Sequence, residues 1–141
     1  MRLLDAADRP SGALRDRLID KGYDDETVAA VVDRLIEVGL VDDESYAQSA
    51  VRYCVGRLMG YRGAVMELAR KGVDRPLAER VCDEARMSGV FEDAAWELGR
   101  RSAAKTQGMD PKVRKRRFWS SGGRKGHDAE PLRAVAHELF D

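Results

Sequence analysis

The sequence predicts an all-α protein made of tandem three-helix repeats, three copies arranged as an elongated helical array. Three observations lead there. Along most of the 141 residues apolar side chains recur at three- and four-residue steps, the period of a helix face, and no run shows the period of two that a strand needs. The chain also repeats itself. Ser11–Tyr23 reads SGALRDRLIDKGY and Tyr61–Val73 reads YRGAVMELARKGV, so Leu14, Leu18, Lys21 and Gly22 stand opposite Ala64, Leu68, Lys71 and Gly72 at an offset of fifty. The same offset pairs Asp24 with Asp74, Val31 with Val81, Val32 with Cys82, Asp43 with Asp93 and Tyr46 with Trp96. A third Lys-Gly-x-Asp follows at Lys125-Gly126-His127-Asp128, with Leu132, Val135, Ala136 and Leu139 in the places of Val28, Val31, Val32 and Leu35. Punctuation is the third observation: Gly22, Gly39, Gly72 and Gly126 sit where helices stop, and Asp24, Asp42, Asp74, Asp110 and Asp128 where the next ones start.

Taken in order, the first copy (1–41) holds the end of a helix at about 2–7, then helices over about 11–21 and 25–37. Its last helix carries Val28, Val31, Val32, Leu35 and Ile36 on one face, and Gly39 suits a C′ position of positive φ with Leu40 folding back. The second copy (42–91) restarts at Asp42 or Asp43, whose short carboxylate accepts from free first-turn N–H groups, with Glu44 at the positive dipole end. Its helices span about 43–57, 62–71 and 75–87, and Pro76 falls in a first turn where a missing N–H is harmless. The third copy (92–141) has helices over about 92–106, 111–121 and 129–140, opening its second helix on Pro111. One stretch breaks the pattern. Gly122 stands at the core position of Leu18, and two adjacent glycines cost about 1 kcal/mol each inside a helix. The helix should therefore end near Ser120 and leave a flexible basic loop before Asp128.

Composition narrows the classes. Apolar content of 43% is enough for a core, and 35% charged residues is high for a compact single-core protein, which fits an elongated body. No window approaches eighteen consecutive apolar residues, and Met1-Arg2-Leu3-Leu4-Asp5 has no apolar core of a secretion signal. Cys54 and Cys82 lie on apolar helix faces without metal or redox spacing, so buried free thiols in a reducing cytoplasm are expected. Net charge is zero but graded: six basic and nine acidic residues in 1–41, eight of each in 42–91, eleven and eight in 92–141. Within 100–125 ten basic residues face only Asp110.

Chemistry finds no purchase in the residues. His127 and His137 lack carboxylates or cysteines at ligand spacing; His127 takes the slot of Tyr23 and Val73 at a helix joint, and His137 lies on an outward face. Gly60-Tyr61-Arg62-Gly63 has no following Gly-Lys-Ser/Thr, and Ser120-Ser121 has no base beside it. Asp42, Asp43 and Glu44 point in different directions on a helix start, and capping accounts for them without a metal. The expectation is a protein without catalysis, metal or cofactor. The basic tract Lys112, Arg114, Lys115, Arg116, Arg117, followed by Phe118 and Trp119, is more informative. A solvated charged face is the plain reading, yet like charges at helical spacing repel by a few tenths of a kcal/mol per pair. A polyanionic partner relieves that: nucleic-acid phosphates, with Trp119 stacking on a base, or an acidic protein surface. Arg52, Arg57 and Arg62 are candidates to extend the same surface.

The residues Lys21-Gly22-Tyr23, Gly39-Leu40-Val41-Asp42-Asp43-Glu44-Ser45-Tyr46-Ala47, Arg52, Gly60-Tyr61 and Glu67-Leu68-Ala69-Arg70-Lys71-Gly72-Val73 resemble the RecX family of bacterial regulators of the recombinase RecA. The resemblance covers the chain and weakens after Gly108. It implies an elongated, curved array of three-helix repeats. It also implies a non-enzymatic regulator that binds RecA in the groove of the RecA–DNA filament, lowering ATP hydrolysis, filament growth and strand exchange; a monomer is expected. Family members often carry a longer N-terminal extension, so the first repeat is expected to be incomplete or loosely packed. The third copy departs at Trp119–Gly123. No catalytic residue carries over, so Arg52, Arg57, Arg62, Lys112, Arg114, Lys115, Arg116, Arg117 and Trp119 stand as candidate contacts with RecA or DNA. The alternative is a basic helical module that binds single- or double-stranded DNA without a recombinase. Undifferentiated charge on 111–121 favours contact with phosphates or acidic surfaces over base reading.

Overall fold

In the computed structural model, which describes residues 9–141, every regular element is a helix. The eight are α1 (Ser11–Asp20), α2 (Asp25–Glu37), α3 (Asp43–Gly56), α4 (Tyr61–Arg70), α5 (Arg75–Met87), α6 (Val90–Lys105), α7 (Pro111–Arg124) and α8 (Ala129–Phe140). The helix expected at 2–7 lies outside the described residues. Start signals act as anticipated at Asp24 and Asp42, whose carboxylates accept from Thr27 N and Ser45 N at 2.7 and 3.1 Å. Those bonds hold both carboxyl groups below their ordinary pKa. Asp110 caps α7 through Lys112 N at 2.9 Å.

One boundary differs from expectation, and the reason is packing. The helix foreseen to stop near Ser120 runs on to Arg124, carrying both glycines, and 120–124 is helix rather than flexible loop. Gly122 is buried, and a Cβ there would sit 2.4 Å from a methyl of Leu132. Leu132 of α8 thus fills the volume that a side chain at the Leu18-equivalent position would have taken. That contact offsets the helix cost of glycine. The helix stops instead at Gly126, φ +80°, with His127 N bonded to Gly122 O and Gly126 N to Gly123 O.

Three apolar clusters succeed one another along the chain. Leu14, Leu18, Val28, Val32, Leu35 and Val41 join α1 and α2. Ala47, Val51, Cys54, Ala64, Val65, Leu68, Val73, Ala78, Val81, Cys82 and Phe91 join α3, α4, α5 and the first turn of α6. Ala95, Leu98, Phe118, Leu132, Val135 and Ala136 join α6, α7 and α8. Cys54 and Cys82 are free, buried thiols, and burial pushes the Cys82 thiol up to about 12.

The clusters meet at two joints built the same way, with the first turn of one helix against a Lys-Gly turn further along the chain. At the first, a Cβ on Gly12 would lie 2.3 Å from Gly72 O, and Asp43 accepts from Ser11 N (2.7 Å) and its hydroxyl. At the second, Gly60 N donates to Lys125 O (2.8 Å) and Gly63 N to Gly126 O (3.3 Å). No Cβ fits on Gly60, Gly63 or Gly126, each of which would meet backbone at 2.2–2.4 Å. Around them Arg62 donates to His127 O (2.7 Å) and pairs with Asp128 (3.1 Å), while Lys125 Nζ donates to Arg57 O.

Candidate functional site

The second joint sets the geometry of two clefts. It brings the α3–α4 connection against the end of α7, so side chains distant in sequence converge. A cleft of about 590 Å³ opens where α3 and α4 face α7, lined by Arg57, Arg70, Lys71, Arg124 and Lys125 with Tyr53, Met59, Glu67 and Ser121. A second, of about 360 Å³, lies between α6 and α7 and adds Arg101, Lys105 and Arg117. Ser121, Arg124 and Lys125 line both, so the two form one continuous basic track. Glu67 is the single carboxylate among the lining residues, and Arg70 holds it at 2.6 Å, keeping its pKa low. Arg70, Lys71, Arg124 and Lys125 stand at helix C-termini, where cations complement the dipole.

The residues singled out from sequence fall into three groups. Arg57 and Arg117 line the track, and Arg57 stacks its guanidinium 5.7 Å from the ring centre of the exposed Tyr53. Lys112 and Arg116 are exposed on α7 outside the clefts. The others are engaged within the chain or turned away. Arg62 belongs to the joint. Arg114 donates to Ala103 O (3.1 Å) and Thr106 Oγ1 (3.2 Å), closing the end of α6, and lies over the Phe140 ring. Lys115 pairs with Asp141, and Trp119 packs against the third cluster. Arg52 bonds the Ser49 hydroxyl at 2.9 Å on the other face of α3.

Arg70, Lys71, Arg101, Lys105, Arg124 and Lys125 were not among the sequence candidates. A signal for two of them was available: Lys71 and Lys125 are the lysines of the repeated Lys-Gly-x-Asp. His127, read as a joint residue, is buried there, with its Nε2 2.8 Å from Leu58 O. Burial lowers its pKa, and the neutral ring with Nε2–H donating satisfies the carbonyl. Leu58 itself has φ 62°, a left-handed C′ position where the other joints place glycine. Among the described residues no group of His, Cys, Asp and Glu is arranged to hold a metal ion, and no helix is long and apolar enough to cross a membrane.

Fold and clefts define an all-helical scaffold with a basic track built across an inter-cluster joint. Comparison with known proteins gives that scaffold a family. Residues 1–35 match the family model described as RecX, first three-helix domain. The chain is 37% identical over 143 residues to the Regulatory protein RecX of Thermobifida fusca, spanning 99% of this chain and 76% of that protein. With the Regulatory protein RecX of a Mycobacterium species (strain JLS) it shares 48% identity over 77 residues, 52% of this chain and 41% of the relative. The crystal structure of RecX from Lactobacillus salivarius superposes with a TM-score of 0.81 at 20% identity, over 93% of this chain and 85% of that one. The chain belongs to the RecX family of regulatory proteins.

Proposed function

We propose that this protein is a non-enzymatic regulator of the RecA recombinase, binding the RecA–DNA filament through the basic track and limiting its ATPase, extension and strand exchange. The observation that carries the reading is the continuity of the two clefts. Eight cations and one already paired carboxylate line them, a charge balance that a linear polyanion or an acidic protein surface matches. In this reading the anionic partner expected of the 112–119 tract is received instead by the track that α3, α4, α6 and α7 line together. The family resemblance supplies RecA as the partner; the free thiols Cys54 and Cys82 suit a reducing cytoplasm, and the regulator is taken to act as a monomer.

A test is the single-stranded-DNA-dependent ATPase of the cognate RecA, titrated with this protein. Activity is expected to fall, at substoichiometric ratios for end capping or near saturation for groove coating. No change at any ratio would sink the reading. A second reading, direct DNA binding without a recombinase, draws on Tyr53 and Arg57 at the cleft, where an exposed ring could stack on an unpaired base. It predicts equal affinity for bare single-stranded DNA and for the filament.

A further inference from the structure

The basic track uses one face of α3; the opposite face carries a different surface. Gln48, Val51, Arg52 and Val55, each three or four residues from two of the others, share one face of α3, while Tyr53 and Arg57 turn the other way. Between α3 and α5 these residues border a cleft of about 400 Å³ whose walls are Val51, Val55, Val81, Ala85 and Val90. That is within the range of roughly 300–1,000 Å³ of ligand clefts. Two charged side chains stand on its rim, and only one is committed. Glu84 accepts from Arg80 at 3.0 Å, whereas Arg52 bonds the Ser49 hydroxyl and enters no ion pair among the described residues.

We propose that the α3–α5 cleft is a second docking surface, taking an acidic amphipathic segment of a protein partner, its apolar side chains against the valines and a carboxylate on Arg52. The free charge on the rim selects the occupant: an apolar segment alone would leave Arg52 half-desolvated without a partner, and a basic one would repel it. In naming the recombinase as the protein to probe, the proposal rests on the function given above. The molecule then grips with two chemistries on opposite faces of one helix, electrostatic on one side and apolar on the other.

The experiment is a titration of the labelled full chain with RecA filament and, separately, with bare single-stranded DNA, followed by anisotropy. Arg52→Glu and Val55→Gln are each expected to weaken filament binding about tenfold or more, with bare-DNA binding unchanged and Arg52→Lys close to wild type. Because Arg52 is exposed, its substitution leaves the core intact, which circular dichroism verifies for both variants. Unchanged filament affinity in both variants overturns the proposal. So does an equal loss on bare DNA, which would make Arg52 a phosphate contact, or a wild-type dimer that Arg52→Glu dissolves, which would make a second copy the occupant. If wild type ignores the filament, the RecA reading falls alone, and anilinonaphthalene sulfonate, an apolar anion, becomes the probe. Its fluorescence gain on wild type, lost in both variants, supports the cleft; no gain, or the same gain in all three, overturns it.

Discussion

At the scale of single residues, His127 couples stability to pH. Held neutral by burial, between Leu58 O and the charges of Lys125 and Asp128, it binds fewer protons folded than unfolded. Its contribution to stability is therefore complete above the ordinary histidine value of about 6.5 and is lost as pH falls from there toward its lower folded value. Thermal melts are expected to show a midpoint that starts to fall below about pH 6.5, and His127→Gln should flatten that slope. The capped carboxylates Asp24 and Asp42 act in a separate window: their depressed pKa values give stability that is lost only in stronger acid. The glycines of α7 and its C-terminal turn give opposite signs within four residues. Gly123 faces open space in the helix, so Gly123→Ala should stabilise by about 0.5–1 kcal/mol. Gly126→Ala combines positive φ with a Cβ 2.2 Å from Gly63 N and should cost about 3 kcal/mol or more. Denaturant titration of the two variants measures both.

At the scale of elements, α3 shows what a sequence discloses and what it withholds. Its start is legible because Asp42 accepts a bond only three residues away, and local chemistry is written locally. Its neighbour Asp43, which local reasoning could treat as an alternative cap, instead reaches Ser11, 32 residues back, and ties α1 to the second cluster. Asp43→Ala should cost about 1–3 kcal/mol, the value of leaving the amide and hydroxyl of buried Ser11 unpaired. Loss of protection at Ser11 in amide exchange would accompany it. The end of α7 is hidden from the sequence for the same reason. A glycine pair counts against a helix when scored by propensity, and only the opposing Leu132, on another element, tips the balance back toward helix. The basic tract is visible as charge, but its distribution is not: Arg114 and Lys115 are adjacent in sequence to Arg116 and Arg117 yet are engaged by partners in the same chain, Arg114 at the end of α6 and Lys115 by Asp141 at the surface. Linear spacing specifies a helix face; which face meets a neighbour depends on contacts from α6 and α8.

At the scale of the whole molecule, the track can be tested apart from the scaffold. Arg117→Glu combined with Arg124→Glu and Lys71→Glu changes exposed side chains that hold no joint, unlike Arg114 or Arg62. The triple variant should melt as wild type and lose most of its filament or DNA affinity. The salt dependence of any remaining DNA binding should drop by about one unit in slope per phosphate contact removed. An unchanged slope would show that the track is not where anions bind. The contrast between joint and track has a consequence for how such a protein can evolve. At Gly63 and Gly126 backbone meets backbone, so neither residue can be exchanged alone, and no compensating substitution opposite can make room. Apart from Lys125, whose Nζ also holds Arg57 O at the joint, the cations of the track are the far ends of long side chains, replaceable one at a time with little effect on folding. Drift and selection can therefore retune partner affinity in small steps across a lineage while the frame that aims those side chains is inherited whole.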